Sequence, residues 1–294
     1  MKVPFKALTG VEVFIDEPMV KHTSFRLGGK ASYFVKVFSL RALKRLLNTI
    51  KKHRMKYYII GAGSNILVSD RGYAGVIIKL YGRFRQVKRS NDMFSCGSGL
   101  WVDDFLQKAK AQGYGGAEFL AGIPGTIGGA VKGNAGAFGK SMADIVSSIT
   151  TLDNDGNVQE LPSRAIGFGY RRTDIKDGRI ILTAKIKLKA RKQNDIASDI
   201  RKNLLYRNKI QPAGFSAGSY FKNIKPYVAG KLIDACGLKG LRVGDAEVSK
   251  KHANFIINHG NAKTSDVLKL ANMIKNKVMD MKGILLEEEV KLLK

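Results

Sequence analysis

Apolar positions change period repeatedly along this chain, and each change predicts an element. From residue 40, Leu40, Leu43, Leu46, Leu47 and Ile50 share one side of a helix, while Arg41, Lys44, Arg45 and Lys51 fall elsewhere. Ser39 stands where a hydroxyl caps the first turn. Residues 57–60, 76–80 and 93–96 are short apolar runs of strand length. Residues 101–112 return to helical spacing and close on Gly113. Residues 148–152 and 158–161 flank Asn154-Asp155-Gly156, which predicts a β-hairpin. In 180–189, Leu182, Ala184, Ile186 and Leu188 alternate with Ile181, Thr183, Lys185, Lys187 and Lys189, the pattern of a half-exposed strand.

The character changes near residue 190. The polar run KARKQND precedes a helix predicted over 196–209, which ends before Gln211-Pro212. A loop containing glycine follows, then a short helix (228–236), a strand (254–258), a long helix from Thr264 or Ser265, and a last strand (285–292). Both halves mix helix and strand without regular βαβ repeats, so the expected class is α+β, with domains at 1–190 and 191–294.

Residues 113–139 show neither period, and glycine is concentrated there. GAGSNILVSD (61–70) opens like a dinucleotide fingerprint, G-x-G-x-x-G, but Ile66 occupies the place of the third glycine. Residues 66–68 then read as further extended chain rather than helix. Gly139-Lys140-Ser141 ends like a P-loop, yet Asn134 stands where its first glycine belongs. Both nucleotide templates therefore miss. What remains is a pair of turns, in 61–65 and 122–136, whose small side chains let an anion approach backbone N–H groups. Ser64 and Asn65 add donors, and Pro124 limits flexibility. One such turn is as readily a tight backbone crossing. Two in one domain suit a ligand with a diphosphate and a large ring.

Composition narrows the class. The chain has 294 residues, enough for two domains, with 44% hydrophobic content and no apolar run long enough to span a membrane. Its first residues, MKVPFKALTGVEVFIDEP, are broken by Pro, Lys and acidic side chains and lack a signal-peptide core, so a cytoplasmic location is expected. Cys96 and Cys236 are remote from each other, and His22, His53, His252 and His259 have no ligand spacing, so no metal site is expected. The net charge of +27 favours anions, but the basic residues are spread along the chain and no nucleic-acid motif accompanies them. Neither a nucleic-acid nor a membrane partner is expected.

Seven stretches in order carry a resemblance: HTSFRLGG (22–29), GAGSNILVSD (61–70), EFLAGIPGTIGGAVKGNAGAFG (118–139), FGYRRT (168–173), SAGSYFKN (216–223), KHANFIIN (251–258) and LLEEEV (285–290). On these the chain resembles the UDP-N-acetylenolpyruvoylglucosamine reductases, flavoenzymes of bacterial peptidoglycan precursor synthesis. The resemblance implies an FAD-binding domain of the PCMH, or vanillyl-alcohol-oxidase, type (core about 22–190), followed by a smaller substrate-binding domain. It implies non-covalent FAD, NADPH as co-substrate and a UDP-sugar enolpyruvyl ether as substrate. The short interval between Arg171 and Ser219 resembles the compact branch that lacks a tyrosine-bearing insertion.

Residue by residue, the resemblance assigns catalysis to Arg171, Ser219 and Glu287. It assigns the cofactor to Gly61, Ala62, Gly63, Ser64, Asn65, Ile66 and Leu67, and to Gly122, Ile123, Pro124, Gly125, Thr126, Gly128, Gly129, Ala130, Asn134, Ala135 and Gly136. Tyr170, Arg207, Lys222 and Asn223 fall to the substrate. The chemistry fits these types: an always-charged guanidinium grips a carboxylate, and a hydroxyl can protonate an enolate. Alternation alone favours Glu288, which shares a face with Leu286, Val290 and Leu292, over Glu287. Ser216 competes locally with Ser219. Lys132-Gly133, Phe138 and Ile224 depart from the family pattern. Another FAD oxidoreductase of the same fold is the alternative enzyme, and a basic nucleic-acid-binding protein the alternative of another class.

Overall fold

The structure is a computed structural model that describes Phe5, residues 8–176 and residues 178–294; the remaining N-terminal residues read above for a leader lie outside it. In chain order the elements begin with β1 (Val11–Pro18), β2 (Lys30–Val37), α1 (Leu40–Lys52), β3 (Tyr57–Ile60), β4 (Ile66–Val68) and β5 (Tyr73–Leu80). There follow β6 (Val87–Ser90), β7 (Met93–Gly97), α2 (Val102–Ala111), β8 (Tyr114–Gly115), α3 (Ile127–Lys132), β9 (Gly136–Ala137) and β10 (Lys140–Ser141). Next come β11 (Val146–Leu152), β12 (Val158–Pro162), β13 (Phe168–Gly169), β14 (Arg172–Thr173), β15 (Ile180–Lys187), β16 (Lys189–Ala190) and α4 (Gln193–Ile210). The chain finishes with α5 (Ala229–Ala235), β17 (Arg242–Val243), β18 (Ala246–Val248), β19 (Ile256–Asn258), α6 (Thr264–Lys282) and β20 (Lys291–Leu293).

Two compact units share these elements. The first holds Met1–Phe14, Tyr33–Ala62 and Gly75–Tyr206, and the second Ile15–Ser32, Gly63–Ala74 and Arg207–Lys294. The boundaries fall inside β1, β2, β5 and α4, and between Ala62 and Gly63 in the first glycine turn.

In the first unit, one sheet has the order β1-β2-β5-β3. Strand β5 is buried at every position except Ala74, as expected of a strand covered on both faces, and it runs parallel to β3 with Ile60 beside Lys79. The predicted cap forms: Ala42 N donates to Ser39 Oγ at 3.3 Å. Helix α1 then buries Ala42, Leu43, Leu46 and Ile50 among Val35, Val37, Val76, Ile78 and Leu80. A second sheet, β12-β11-β15-β7-β6, carries the predicted hairpin as its β11–β12 edge. On it, Phe105 of α2 and Ile127 and Val131 of α3 join Phe94, Ile149, Ala184 and Ile186 in one core.

Helix α3 falls inside 113–139, where the sequence shows no period. Six residues with adjacent glycines are too few to show one, and the helix depends on Thr126, whose Oγ1 accepts from Gly129 N at 3.4 Å. Gly128 allows it to pack closely, because a Cβ there would lie 2.7 Å from Ser98 Cβ.

In the second unit, β17-β18-β19 forms one antiparallel sheet, while β20 runs parallel to β4 with Lys291 beside Ile66. Phe25, Leu67, Tyr220, Phe221, Ile233, Val248, Ile256, Leu270, Ile274 and Leu286 are among its core residues. The start of α6 is capped from far along the chain. Asp70 accepts from Thr264 N at 2.7 Å and from Ser265 N at 2.9 Å, and Thr264 Oγ1 donates to Val68 O at 2.6 Å. Gly283, at φ +67°, ends the helix.

The strand expected over 285–292 is confined to Lys291–Leu293. The segment before it is tied elsewhere, through an isolated bridge between Glu288 and Phe221. It changes partner part-way, so one alternating stretch becomes two attachments. Among the described residues, no helix is long and apolar enough to cross a membrane.

Candidate active site

In the first unit Gly61, which opens the first glycine turn, lies against Thr126 of the second glycine stretch. A Cβ on Gly61 would stand 2.7 Å from Thr126 Oγ1, whereas one on Gly125 would meet nothing nearer than Val102 Cγ2 at 4.0 Å. The first glycine lets the turns meet, and the second leaves its backbone open to close approach. Beside them, Ser98 Oγ is buried with no hydrogen-bond partner among the described residues, and Ser98 O accepts from Gly128 N at 2.8 Å. The open backbone at Gly125 and the unused hydroxyl of Ser98, which packs against Gly128 of the same stretch, fit a polar, phosphate-bearing cofactor.

Arg171 sits at the tip of the β13–β14 hairpin in a left-handed conformation, φ +57°. Its guanidinium donates to Gly136 O at 3.1 Å. In return, Asn134 Nδ2 donates to Gly169 O at 2.9 Å, while Asn134 Oδ1 accepts from Ala143 N at 3.1 Å. Thr173 Oγ1 donates to Lys132 O at 3.0 Å, and Lys132 Nζ donates to Ile175 O at 2.6 Å. The second glycine stretch and the arginine hairpin are therefore joined from both sides. Asn134 belongs to this joint through its side chain, and Lys132, a departure from the family pattern, belongs to it as well. Tyr170 is exposed beside Arg171, whose guanidinium carbon lies 5.6 Å from the tyrosine ring centroid.

The second unit gathers the other candidates. Ser24 N donates to Gly63 O at 3.1 Å, and Ser24 Oγ donates to Ser216 O at 2.7 Å, so one serine ties the first glycine turn to the serine loop. Ser219 forms an isolated bridge with Phe255. Immediately after it the chain pairs with the acidic segment: Glu289 N donates to Tyr220 O, and Lys222 N to Glu287 O, each at 2.8 Å. That pairing places the Lys222 ammonium on the Glu287 carboxylate. Asn65 closes the group, its Nδ2 donating to Glu289 O at 3.3 Å and its carbonyl accepting from Lys291 N at 3.1 Å. Thus Asn65, Ser219, Lys222 and Glu287 sit on one hydrogen-bonded framework. Asn223 instead accepts from Ala229 N at 3.0 Å, at the start of α5, and Arg207 lies in the last turn of α4.

Alternation and motif part company over the glutamates. Glu288 does turn to the side of buried Leu286 and Val290, but there it meets Lys275 at 2.9 Å; Glu287 is exposed and holds Lys222. Burial, helped by the charge of Glu288, raises the pKa of the Tyr220 hydroxyl and keeps it protonated. The histidines have local duties: His22 meets Glu17 at 3.0 Å, and His252 Nδ1 accepts from Asn254 N at 3.3 Å. Burial lowers the pKa of His252, with Lys239 adding to the effect. Among the described residues, no cluster of His, Cys, Asp or Glu could hold a metal ion.

Sequence reasoning missed Ser24, Ser98 and Asn254. The last is buried and holds the chain beside Ser219 through three bonds, accepting from Tyr220 N and Phe221 N and donating to Phe221 O. An asparagine inside the run HANFIIN was its one available signal. A lone serine gives none.

The match of an FAD binding domain family to residues that include most strands of the two sheets, with Gly61 and Gly125, makes this an FAD-binding protein of mixed α+β fold. The FAD binding domain family matches residues 31–162, and a family described as UDP-N-acetylenolpyruvoylglucosamine reductase, C-terminal domain, matches residues 211–293. A UDP-N-acetylenolpyruvoylglucosamine reductase of Clostridioides difficile is 41% identical over 97% of this chain and 95% of its own. Its namesake in Pelobacter propionicus is also 41% identical, over 94% of each. The crystal structure of the Thermus caldophilus reductase superposes with a TM-score of 0.84 at 35% identity, covering 97% of this chain and 99% of that one. A Brevibacterium sterolicum cholesterol oxidase shares the fold alone, with a TM-score of 0.51 at 12% identity over 65% of this chain and 40% of its own. This chain belongs to the UDP-N-acetylenolpyruvoylglucosamine reductase family.

Proposed function

We propose that this enzyme reduces the enolpyruvyl group of UDP-N-acetylglucosamine enolpyruvate to give UDP-N-acetylmuramate, with NADPH as reductant, in the cytoplasm and for peptidoglycan synthesis. Residues 1–190 bind FAD without a covalent link, and residues 191–294 bind the UDP-sugar. Bound flavin supplies hydride transfer between NADPH and the terminal carbon of the substrate's double bond.

The chain's own residues then handle charge and proton. The Arg171 guanidinium, held by Gly136 O, offers a fixed positive charge to the carboxylate through which the enolate is delocalised. The Ser219 hydroxyl delivers its proton to C2, since an enolate is basic enough to take one from an ordinary alcohol. Lys222 takes a substrate phosphate. That phosphate competes with Glu287 for the ammonium and frees the carboxylate to assist at the reacting carbon.

The observation carrying this reading is the framework that places Ser219, Lys222 and Glu287 on neighbouring, paired segments. NADPH oxidation followed with and without the enolpyruvyl UDP-sugar tests it. Turnover is expected to depend on that substrate, and Ser219→Ala is expected to retain flavin reduction by NADPH while losing reoxidation by the substrate. Normal turnover in Ser219→Ala would remove the proton-donor role, and indifference to the UDP-sugar would remove the substrate assignment.

A further inference from the structure

Lys79, the penultimate residue of strand β5 in the first unit, is a cationic residue only 8% exposed. Among the described residues no carboxylate or carbonyl accepts from its ammonium, and its nearest aromatic partner is the Trp101 ring, centroid 5.8 Å away. Its surroundings add positive charge: Arg85 stacks 3.7 Å over the Tyr81 ring, and Lys36 lies 5.4 Å from the same ring. Glu12 is engaged by Lys36 at 3.0 Å. Burial lowers the pKa of Lys79, and repulsion from Arg85 and Lys36 lowers it further. A fold does not bury an unpaired ammonium among cations for stability, because desolvation of the charge opposes folding.

Its position supplies a reason. Lys79 is the parallel neighbour of Ile60, the residue before Gly61. Trp101, under the ammonium, bridges to Thr126, whose hydroxyl lies against Gly61. Strand β5 therefore carries Lys79 beside the start of the first glycine turn, with its ammonium over the ring that pairs with the second stretch. Apart from Lys132, whose ammonium donates to Ile175 O, those stretches offer amide donors but no charge. We infer that Lys79 is a flavin-binding residue whose ammonium pairs with the diphosphate of FAD. This rests on the FAD reading and adds to it a charged ligand that the glycine motifs do not include.

The test titrates flavin-free enzyme with FAD and with riboflavin, which has no phosphate, in wild type, Lys79→Met and Lys79→Arg. Loss of one charge-assisted contact is expected to weaken FAD binding by about tenfold to a hundredfold in Lys79→Met. Riboflavin affinity should stay within about twofold, and Lys79→Arg should recover much of the loss. The flavin-free Lys79→Met protein should also melt at a higher temperature than wild type, since methionine fills the site without a charge to desolvate. Equal FAD affinity in wild type and Lys79→Met would overturn the inference, as would an equal loss for riboflavin. If FAD binding were unchanged but the UDP-sugar KM rose, the ammonium would serve the substrate's diphosphate and the inference would again fail. Wild type that bound no FAD would refute the cofactor reading itself, a separate outcome.

Discussion

Asn134 offers the sharpest test of how the arginine hairpin is held. Its side chain makes one bond to Gly169 O at 2.9 Å and accepts one from Ala143 N at 3.1 Å, and its backbone is left-handed at φ +43°. Asn134→Gly removes both bonds yet accepts that backbone; at about 1 kcal/mol per bond it should cost about 2 kcal/mol. Asn134→Ala loses the same bonds and also places a Cβ in the left-handed region, adding about 1 kcal/mol. The expected order of stability is therefore wild type, then glycine, then alanine. Urea denaturation of each holoenzyme at fixed flavin excess reads it. The same loss frees the backbone that carries Arg171, so reoxidation of the flavin by the enolpyruvyl substrate should slow more than its reduction by NADPH. An alanine variant as stable as wild type, or more stable than the glycine variant, would refute the argument. Equal slowing of both half-reactions would sever Asn134 from Arg171.

Other expectations follow from the same geometry. Asp70→Ala removes the cap of α6 and should cost about 1 kcal/mol near neutral pH, the modest value suiting an exposed carboxylate. Burial raises the Asp70 pKa, but the N–H bonds from Ser265 and Thr264, with the charge of Lys263, outweigh it and leave the folded value below the ordinary 3.8. That contribution is full above 3.8 and is lost as pH falls through the folded value, so the gap in urea midpoints between wild type and variant should narrow in acid. Gly63→Ala drives a Cβ to 2.0 Å from His22 O at φ +70°, and soluble yield or melting temperature should fall sharply; an unchanged melting temperature would contradict the close approach. Arg171→Lys keeps the charge but not the planar donor pair, so substrate-dependent turnover should drop by about tenfold or more while NADPH reduces the flavin normally; full turnover would make charge alone sufficient.

Local order was legible where a rule acts over a few residues. Ser39 capping α1, the Asn154-Asp155-Gly156 hairpin and the buried run of β5 each follow from nearest-neighbour chemistry, and they appear as read. The ordered motifs carried more: they named the family and the types of residue at the site. Helix α3 was hidden because its stability comes from Thr126 and from packing on Ser98, not from a period within six residues. The segment 285–292 was misread because alternation cannot say that a strand changes partner part-way.

By itself, then, the chain determined its class, its α+β content and its candidate chemistry, since these depend on residue type and short spacing. Tertiary structure alone decided that Asn134 serves the arginine hairpin, that Asp70 caps a helix 194 residues away, and that Glu287 rather than Glu288 meets Lys222. It alone left Lys79 largely buried with no carboxylate against it among the described residues. The physical reason is range: hydrogen bonds and desolvation are settled by neighbours in space, and a linear order of residues does not contain those neighbours.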